Sequence, residues 1–186
     1  MNILTGLNEG AFYYASKVAS PFLTFVMQYW TESFYLVLIA LVAYMYLKKD
    51  KNLVPFIFAG VLLYAISEII KDIVKEPRPC AEGNFQWVQQ VACESNYSFP
   101  SSHATVLTGL AIFLKNYKYI RIGYIVWLIV VLFSRIYLGE HYFTDVLAGA
   151  VISIVVAYTI YKYENWINRV ADKMLSKLFG RKTNGN

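Results

Sequence analysis

Five stretches nearly free of charge divide this chain of 186 residues. Residues 33–47, 104–114, 122–134 and 146–161 carry no Asp, Glu, Lys or Arg, and residues 53–70 carry only Glu68. A helix needs about 20 residues to cross the core of a bilayer, and these stretches reach that length when their polar flanks sit at the interface. Only 16% of residues are charged against 58% hydrophobic, a low charged share for a soluble domain. The pattern predicts an all-α fold: a polytopic membrane helix bundle with five clear transmembrane helices, forming one domain over 1–186. A sixth, N-terminal span is expected over 12–30. It contains Lys17, so a helix lying in the interface is the alternative. Glu9 and the polar start break the pattern of a cleavable signal peptide.

The net charge of +5 follows topology and is not a nucleic-acid footprint. Lys48, Lys49 and Lys51 follow the first clear span, and Lys115, Lys118 and Arg121 lie between the third and fourth. Lys162, Arg169, Lys173, Lys177, Arg181 and Lys182 follow the last. These groups fall on alternate ends of successive spans, as one cytoplasmic face requires. The opposite ends then collect Lys71 and Arg78, His103, Arg135, and His141 with Asp145. Three separate polar clusters meet at one membrane face, the non-cytoplasmic one. A multi-pass position in the cell membrane follows, with the functional groups facing outward.

Cys80 and Cys93, the only cysteines, lie in the outer loop of roughly 77–100. An oxidising compartment favours a disulfide between them; two free thiols are the alternative. Glu82, Gly83, Asn84 and Asn96 mark this segment as a true loop. Beyond Glu164, Trp166, Ile167, Val170, Met174, Leu175, Leu178 and Phe179 recur at helical spacing. An amphipathic helix on the inner membrane surface is expected there.

Polar groups at the ends of apolar helices are costly and point to function. Lys71, Arg78 and Arg135 place three cations at one interface, with few acids expected to neutralise them. Arg presents a planar fork that matches phosphate oxygens, and Lys adds a point charge. Snorkelling to headgroups explains most single juxtamembrane cations, but less readily three beside both histidines of the chain. Ser101, Ser102 and His103 follow Pro100 and open a helix, whose free N–H groups attract anions. A plain cap is the simpler reading of Ser101. His141 and Asp145 stand four residues apart and share a face if a helix begins near His141. The carboxylate would hold one imidazole tautomer and free the other nitrogen for attack; a capping acid is the structural alternative. Glu140 should point elsewhere on such a helix. Glu68, about a turn before Lys71, is expected to play a structural role, paired with a basic residue or another helix.

These clusters resemble the signature of the type 2 phosphatidic acid phosphatase superfamily: Lys-x6-Arg-Pro, Pro-Ser-Gly-His and Ser-Arg-x5-His-x3-Asp. Here they read Lys71…Arg78-Pro79, Pro100-Ser101-Ser102-His103 and Ser134-Arg135…His141…Asp145. The one departure is Ser102 in place of the usual Gly. A phosphate-facing N–H survives the change if Ser102 keeps a negative φ. The resemblance implies that His141 attacks phosphorus, Asp145 orients it, and His103 protonates the leaving oxygen and later activates water. It implies that Lys71, Arg78, Ser101, the Ser102 N–H and Arg135 hold the phosphoryl oxygens. It implies no metal and no cofactor, and the chain has no carboxylate cluster suited to Mg²⁺.

The short chain is similar to the small undecaprenyl-diphosphate phosphatases of that superfamily. This implies a lipid diphosphate substrate and membrane lipids as surroundings, with no nucleic-acid partner and no statement about oligomeric state. Phosphatidylglycerophosphate, phosphatidate and lipid A phosphates are alternative substrates, and phosphotransfer to another lipid is an alternative reaction. An intramembrane serine protease is disfavoured because no Gly-x-Ser-x-Gly is present. A basic anion or lipid transporter would gain nothing from an oriented imidazole.

Overall fold

The computed structural model describes residues 3–82 and 93–179. Gly83 and Asn84 of the outer loop, and Arg181 and Lys182 near the C-terminus, lie outside the described residues. Among the described residues the chain forms eight α-helices: α1 (Ile3–Lys17), α2 (Pro21–Glu32), α3 (Phe34–Leu47), α4 (Leu53–Val74), α5 (Ser102–Leu110), α6 (Lys118–Tyr137), α7 (Phe143–Lys162) and α8 (Glu164–Phe179). A short 3-10 turn, Pro79–Glu82, follows α4. By length and composition four segments among the described residues suit a membrane crossing: Pro21–Leu47, Leu53–Glu82, Lys118–Tyr137 and Phe143–Lys162. The protein is a multi-pass membrane protein.

The expected span over 12–30 is not one helix. It is broken between α1 and α2, where Ser20 takes an extended conformation and accepts a hydrogen bond from the Leu23 N–H, with Pro21 opening α2. Pro in the first turn loses no helical bond, and Ser before it caps. Helices α2 and α3, separated by Ser33 alone, form one apolar segment, Pro21–Leu47. The stretch 33–47 is therefore the second part of a crossing. Helix α1 packs against α6 and α7. Asn8 on α1 accepts hydrogen bonds from the Thr144 N–H (3.1 Å) and hydroxyl (3.2 Å), so α1 caps the start of α7.

Helix α5 is central, packed against α4, α6 and α7. Two glycines let it approach closely. A Cβ on Gly109 would meet Ser153 Oγ at 2.6 Å and Ala157 at 2.8 Å; one on Gly149 would meet Thr105 Oγ1 at 2.8 Å and the Ser101 carbonyl at 2.9 Å. Without a strong hydrophobic drive between helices in lipid, such small residues allow the packing that joins them. Buried hydroxyls complete the contact: Ser153 donates to the Thr105 carbonyl, and Thr105 donates to the Ser101 carbonyl. The apolar core surrounds α5 and includes Leu63, Leu107, Leu110, Phe113, Leu128 and Val131. The α-helical part of the 104–114 stretch ends at Leu110, where turns with i−3 bonds (Ile112 to Gly109, Phe113 to Leu110) take over.

The two ends of the bundle differ in chemistry. At one end Lys51 pairs with Glu164 at 2.9 Å, Asn168 donates to the Lys51 carbonyl, and Lys115 lies 4.0 Å from the Tyr161 ring centre. This end gathers the basic loops. Helix α8 leaves from it with Trp166, Met174 and Leu178 exposed, the face expected of an interfacial helix. The other end gathers the three polar clusters.

Candidate active site

The ends of α4 and α6 place the cations. Lys71 lies in the last turn of α4, and Lys75 closes that helix in a left-handed conformation (φ 55°). The chain then passes through Pro77 to Arg78, whose side chain is buried among five oxygen acceptors. Nε donates to the Asn96 carbonyl (3.0 Å), Nη1 to the Glu140 carbonyl (2.8 Å) and carboxylate (2.9 Å), and Nη2 to Asn96 Oδ1 (2.5 Å) and Glu94 (2.6 Å).

Helix α6 ends at Tyr137, and Gly139 supplies the positive φ (68°) that turns the chain back. The Arg135 carbonyl then accepts from the N–H groups of both Glu140 (3.1 Å) and His141 (3.2 Å). This wrapped C-terminus, of the kind glycine permits, explains the spacing of Arg135 and His141. The Gly139 carbonyl also accepts from the Cys80 N–H, tying the two segments together. Cys80 and Cys93 are bonded as a disulfide, with Cα atoms 5.9 Å apart.

Helix α7 begins at Phe143, two residues after His141. Asp145 and Tyr142 form a capping box, in which Asp145 Oδ2 accepts from the Tyr142 N–H at 2.9 Å. The same oxygen lies 3.6 Å from His141 Nδ1. Asp145 is thus both the capping acid and the carboxylate beside the imidazole. On the other side of the ring, Nε2 stands 3.3 Å from Arg78 Nη1. Guanidinium can only donate, so Nε2 accepts, and a neutral ring keeps its proton on Nδ1, toward Asp145. Burial, with Arg135 and Arg78 adding to it, holds His141 well below the usual 6.5, so the ring is neutral at physiological pH.

Ser101 caps α5 by position only. Its Oγ makes no capping bond and has no partner among the described residues, while its N–H donates to the Asp145 carbonyl at 3.2 Å. Ser102 is the first residue of α5, so its backbone is right-handed and the condition for a usable N–H is met. Its hydroxyl donates to Glu68 Oε1 (2.9 Å) and accepts from Ser67 (3.1 Å). His103 packs edge-on against Phe34, with ring centres 4.7 Å apart, and its buried Nε2 has no partner among the described residues.

All eight predicted site residues therefore converge, but the expectation of few nearby acids is corrected. Glu68 pairs with Lys71 at 2.9 Å. Glu94 places Oε2 on Arg78 and Oε1 on Arg135, each at 2.6 Å. Glu140, expected to point away, is buried on Arg78, because α6 has ended before it and the helical geometry assumed for it does not apply. The Gly just past a run of helical spacing was the available signal for that ending. For Glu94, burial pushes the carboxyl up, but Arg135 and Arg78 outweigh it and hold the group below the usual carboxylate range.

A cavity of about 650 Å³ joins the cluster to the helices. Lys71, Glu94, Ser102, His103 and His141 line its polar part; Tyr35, Leu38, Val42, Ile57, Val61 and Leu110, from α3, α4 and α5, line its apolar part.

The fold and site define a membrane protein, helical throughout its described residues, with two histidines and three buried cationic side chains at the head of an apolar groove. The PAP2 superfamily matches residues 52–169, and the chain belongs to it. It is a phosphatase of that family, a hydrolase acting on phosphate esters in a family of membrane lipid phosphatases. It is similar to the undecaprenyl-diphosphatase BcrC of Bacillus subtilis, 24% identical over 182 residues and covering 92% of each chain. It is 29% identical over 136 residues to the lipid A 4'-phosphatase of Porphyromonas gingivalis, covering 67% of this chain and 58% of that protein. In structure it is similar to a transmembrane PAP2-type phosphatidylglycerolphosphate phosphatase from Bacillus subtilis. The TM-score is 0.69 at 25% identity, over 90% of this chain and 89% of that one.

Proposed function

We propose that the chain hydrolyses a phosphate or diphosphate monoester of a lipid at the non-cytoplasmic membrane face, with undecaprenyl diphosphate, converted to the monophosphate, as the preferred substrate. The observation that carries this reading is the continuity of the cavity. Its polar end holds both histidines and Lys71, and its apolar end runs between α3, α4 and α5. A terminal phosphate fits the first and a hydrocarbon tail the second. The full-length similarity to BcrC favours the diphosphate lipid. The basic loops gathered at the opposite end favour an outward-facing site.

In the proposed reaction the His141 Nε2 lone pair forms a bond to phosphorus as the bond to the leaving oxygen breaks. His103 gives that oxygen a proton. Water then attacks phosphorus, its proton passes to His103, and the P–N bond breaks to free phosphate and neutral His141. Asp145 faces Nδ1–H and stabilises the charge that develops on the ring. Lys71, Arg78, Arg135, Ser101 and the Ser102 N–H hold the phosphoryl oxygens. This route asks for no metal.

The test is phosphate release by the detergent-purified chain in EDTA from undecaprenyl diphosphate, phosphatidylglycerophosphate and phosphatidate, with His141→Ala as the blank. Release that vanishes in the variant and is fastest with the first lipid is expected. Faster release from another lipid would reassign the substrate, and no release from any would overturn the hydrolase reading in favour of transfer to a lipid acceptor.

A further inference from the structure

Glu94 is not part of the three motifs, yet its carboxylate bridges the two arginines that the proposed function assigns to phosphate. Each oxygen takes one guanidinium at 2.6 Å. A carboxylate and a phosphoryl group present the same kind of oxygen pair to an arginine fork. Both cannot use the same Nη2 groups in that geometry. Of the two acids on Arg78, Glu140 is 4% exposed and held, whereas Glu94 is 44% exposed and borders the cavity. Glu94 is therefore the one free to move.

Its departure leaves Arg78 in place. That guanidinium keeps the Asn96 carbonyl and Oδ1, and the Glu140 carbonyl and carboxylate. Arg135 differs. Among the described residues its charge has, besides Glu94, only Glu140 at 3.9 Å, and its buried Nε has no partner there. Arg135 is thus satisfied by whichever anion bridges it to Arg78. Glu94 stays close when displaced, because the disulfide of its neighbour Cys93 ties it to Cys80, two residues beyond Arg78.

We propose that Glu94 is a specificity-determining residue: its carboxylate holds the phosphoryl subsite and yields it to the dianion of a terminal phosphate, but not to the monoanion of a phosphodiester. The inference rests on the phosphate-cradle reading of Arg78 and Arg135. Its physical basis is competition. A tethered carboxylate acts at a high effective concentration, which a ligand must overcome. A terminal phosphate offers up to two charges and three free oxygens. The headgroup of a bulk phospholipid offers one charge and two free oxygens, no more than the carboxylate already supplies. In a membrane where such diesters vastly outnumber the substrate, this contest keeps the subsite clear of them.

The experiment compares the full chain with Glu94→Gln and Glu94→Ala in detergent around pH 8, where inorganic phosphate is a dianion. Phosphate binding is measured by calorimetry, and inhibition of turnover is measured with phosphatidylglycerol in the micelles. Both variants are expected to bind inorganic phosphate roughly tenfold more tightly than the parent chain. Both are also expected to gain inhibition by phosphatidylglycerol that the parent lacks. Phosphate binding that is unchanged or weaker in the variants would make Glu94 a clamp for the arginines and overturn the proposal. Phosphate binding to none of the three proteins would overturn the cradle itself, and the inference with it. The Gln variant keeps the shape of Glu94, and an unchanged unfolding midpoint separates these outcomes from misfolding.

Discussion

Arg78 Nη1 stands 3.3 Å from Nε2 of His141, and this contact decides which ring nitrogen is free to react. An arginine cannot accept a hydrogen bond, so the neutral imidazole turns its lone pair toward the cation and its proton toward Asp145. An anion bound beside this guanidinium then has that lone pair facing it.

Asp145→Asn therefore tests orientation apart from folding. The amide oxygen can still accept from the Tyr142 N–H, so the capping box of α7 survives. The ring proton loses its carboxylate, and kcat should fall by about 10²-fold or more with KM little changed. Asp145→Ala should lose the cap as well and unfold at a lower temperature, by about 1 kcal/mol of stability. Steady-state kinetics beside thermal unfolding checks both, and an Asn variant with normal kcat would remove Asp145 from the reaction.

The three cations should differ in what their loss does to the fold. Lys71→Ala, Arg78→Ala and Arg135→Ala should each lose most activity. Arg78→Ala also strands Glu140, whose side chain is 4% exposed, and should cost about 3 kcal/mol of stability. Lys71→Ala leaves Glu68, 34% exposed, within reach of water and should cost much less. Unfolding midpoints rank the variants; equal midpoints for Arg78→Ala and Lys71→Ala would contradict the buried pairing.

Gly149→Ala should act on the site through the backbone. Its new methyl would press on the Ser101 carbonyl (2.9 Å) and Thr105 Oγ1 (2.8 Å), next to the start of α5. Gly109→Ala presses instead on Ser153 and Ala157, a helical turn or more away. Each should destabilise by about 1–3 kcal/mol, the usual range for overpacking. Gly149→Ala should lose more activity at equal stability. Parallel assays and melts check this; equal activity in the two would disconnect Gly149 from Ser101.

His141 should contribute a loss of stability on mild acidification, read as the difference between the parent chain and a His141 variant. Its folded value lies well below 6.5, held there by burial and then by Arg135 and Arg78. The unfolded chain gains a proton near 6.5 that the folded chain refuses. The His141 contribution is therefore full above that pH and is lost below it, by at most about 1.4 kcal/mol per pH unit for one proton. Unfolding midpoints measured downward from about pH 8 should fall less steeply in His141→Gln. The same slope in both proteins would mean that His141 is protonated in the folded state.

Much of the site was legible because its residues sit in short motifs whose spacing the helix ends enforce. Lys71 lies at the end of α4, Ser101 to His103 at the start of α5, and Arg135 and His141 on either side of the α6 terminus. Alternating basic loops then placed these ends together. The acids were not legible in the same way. Glu94 and Glu140 find their arginines only through the turn at Gly139 and the return of the outer loop, contacts that join residues 16 to 62 positions apart. The first crossing was misread for a related reason. Hydropathy marks apolar length, and only the Ser20–Pro21 cap revealed that a new helix starts inside the 12–30 stretch.

The most direct test of the account is to trap the phosphorylated enzyme. The chain would be mixed with a lipid diphosphate labelled in its terminal phosphate, quenched with alkaline denaturant, digested and mapped by mass spectrometry. The account predicts label on His141, lost in acid, absent in His141→Ala and longer-lived in His103→Ala. Continued turnover with no label on His141, or label on another residue, would contradict it.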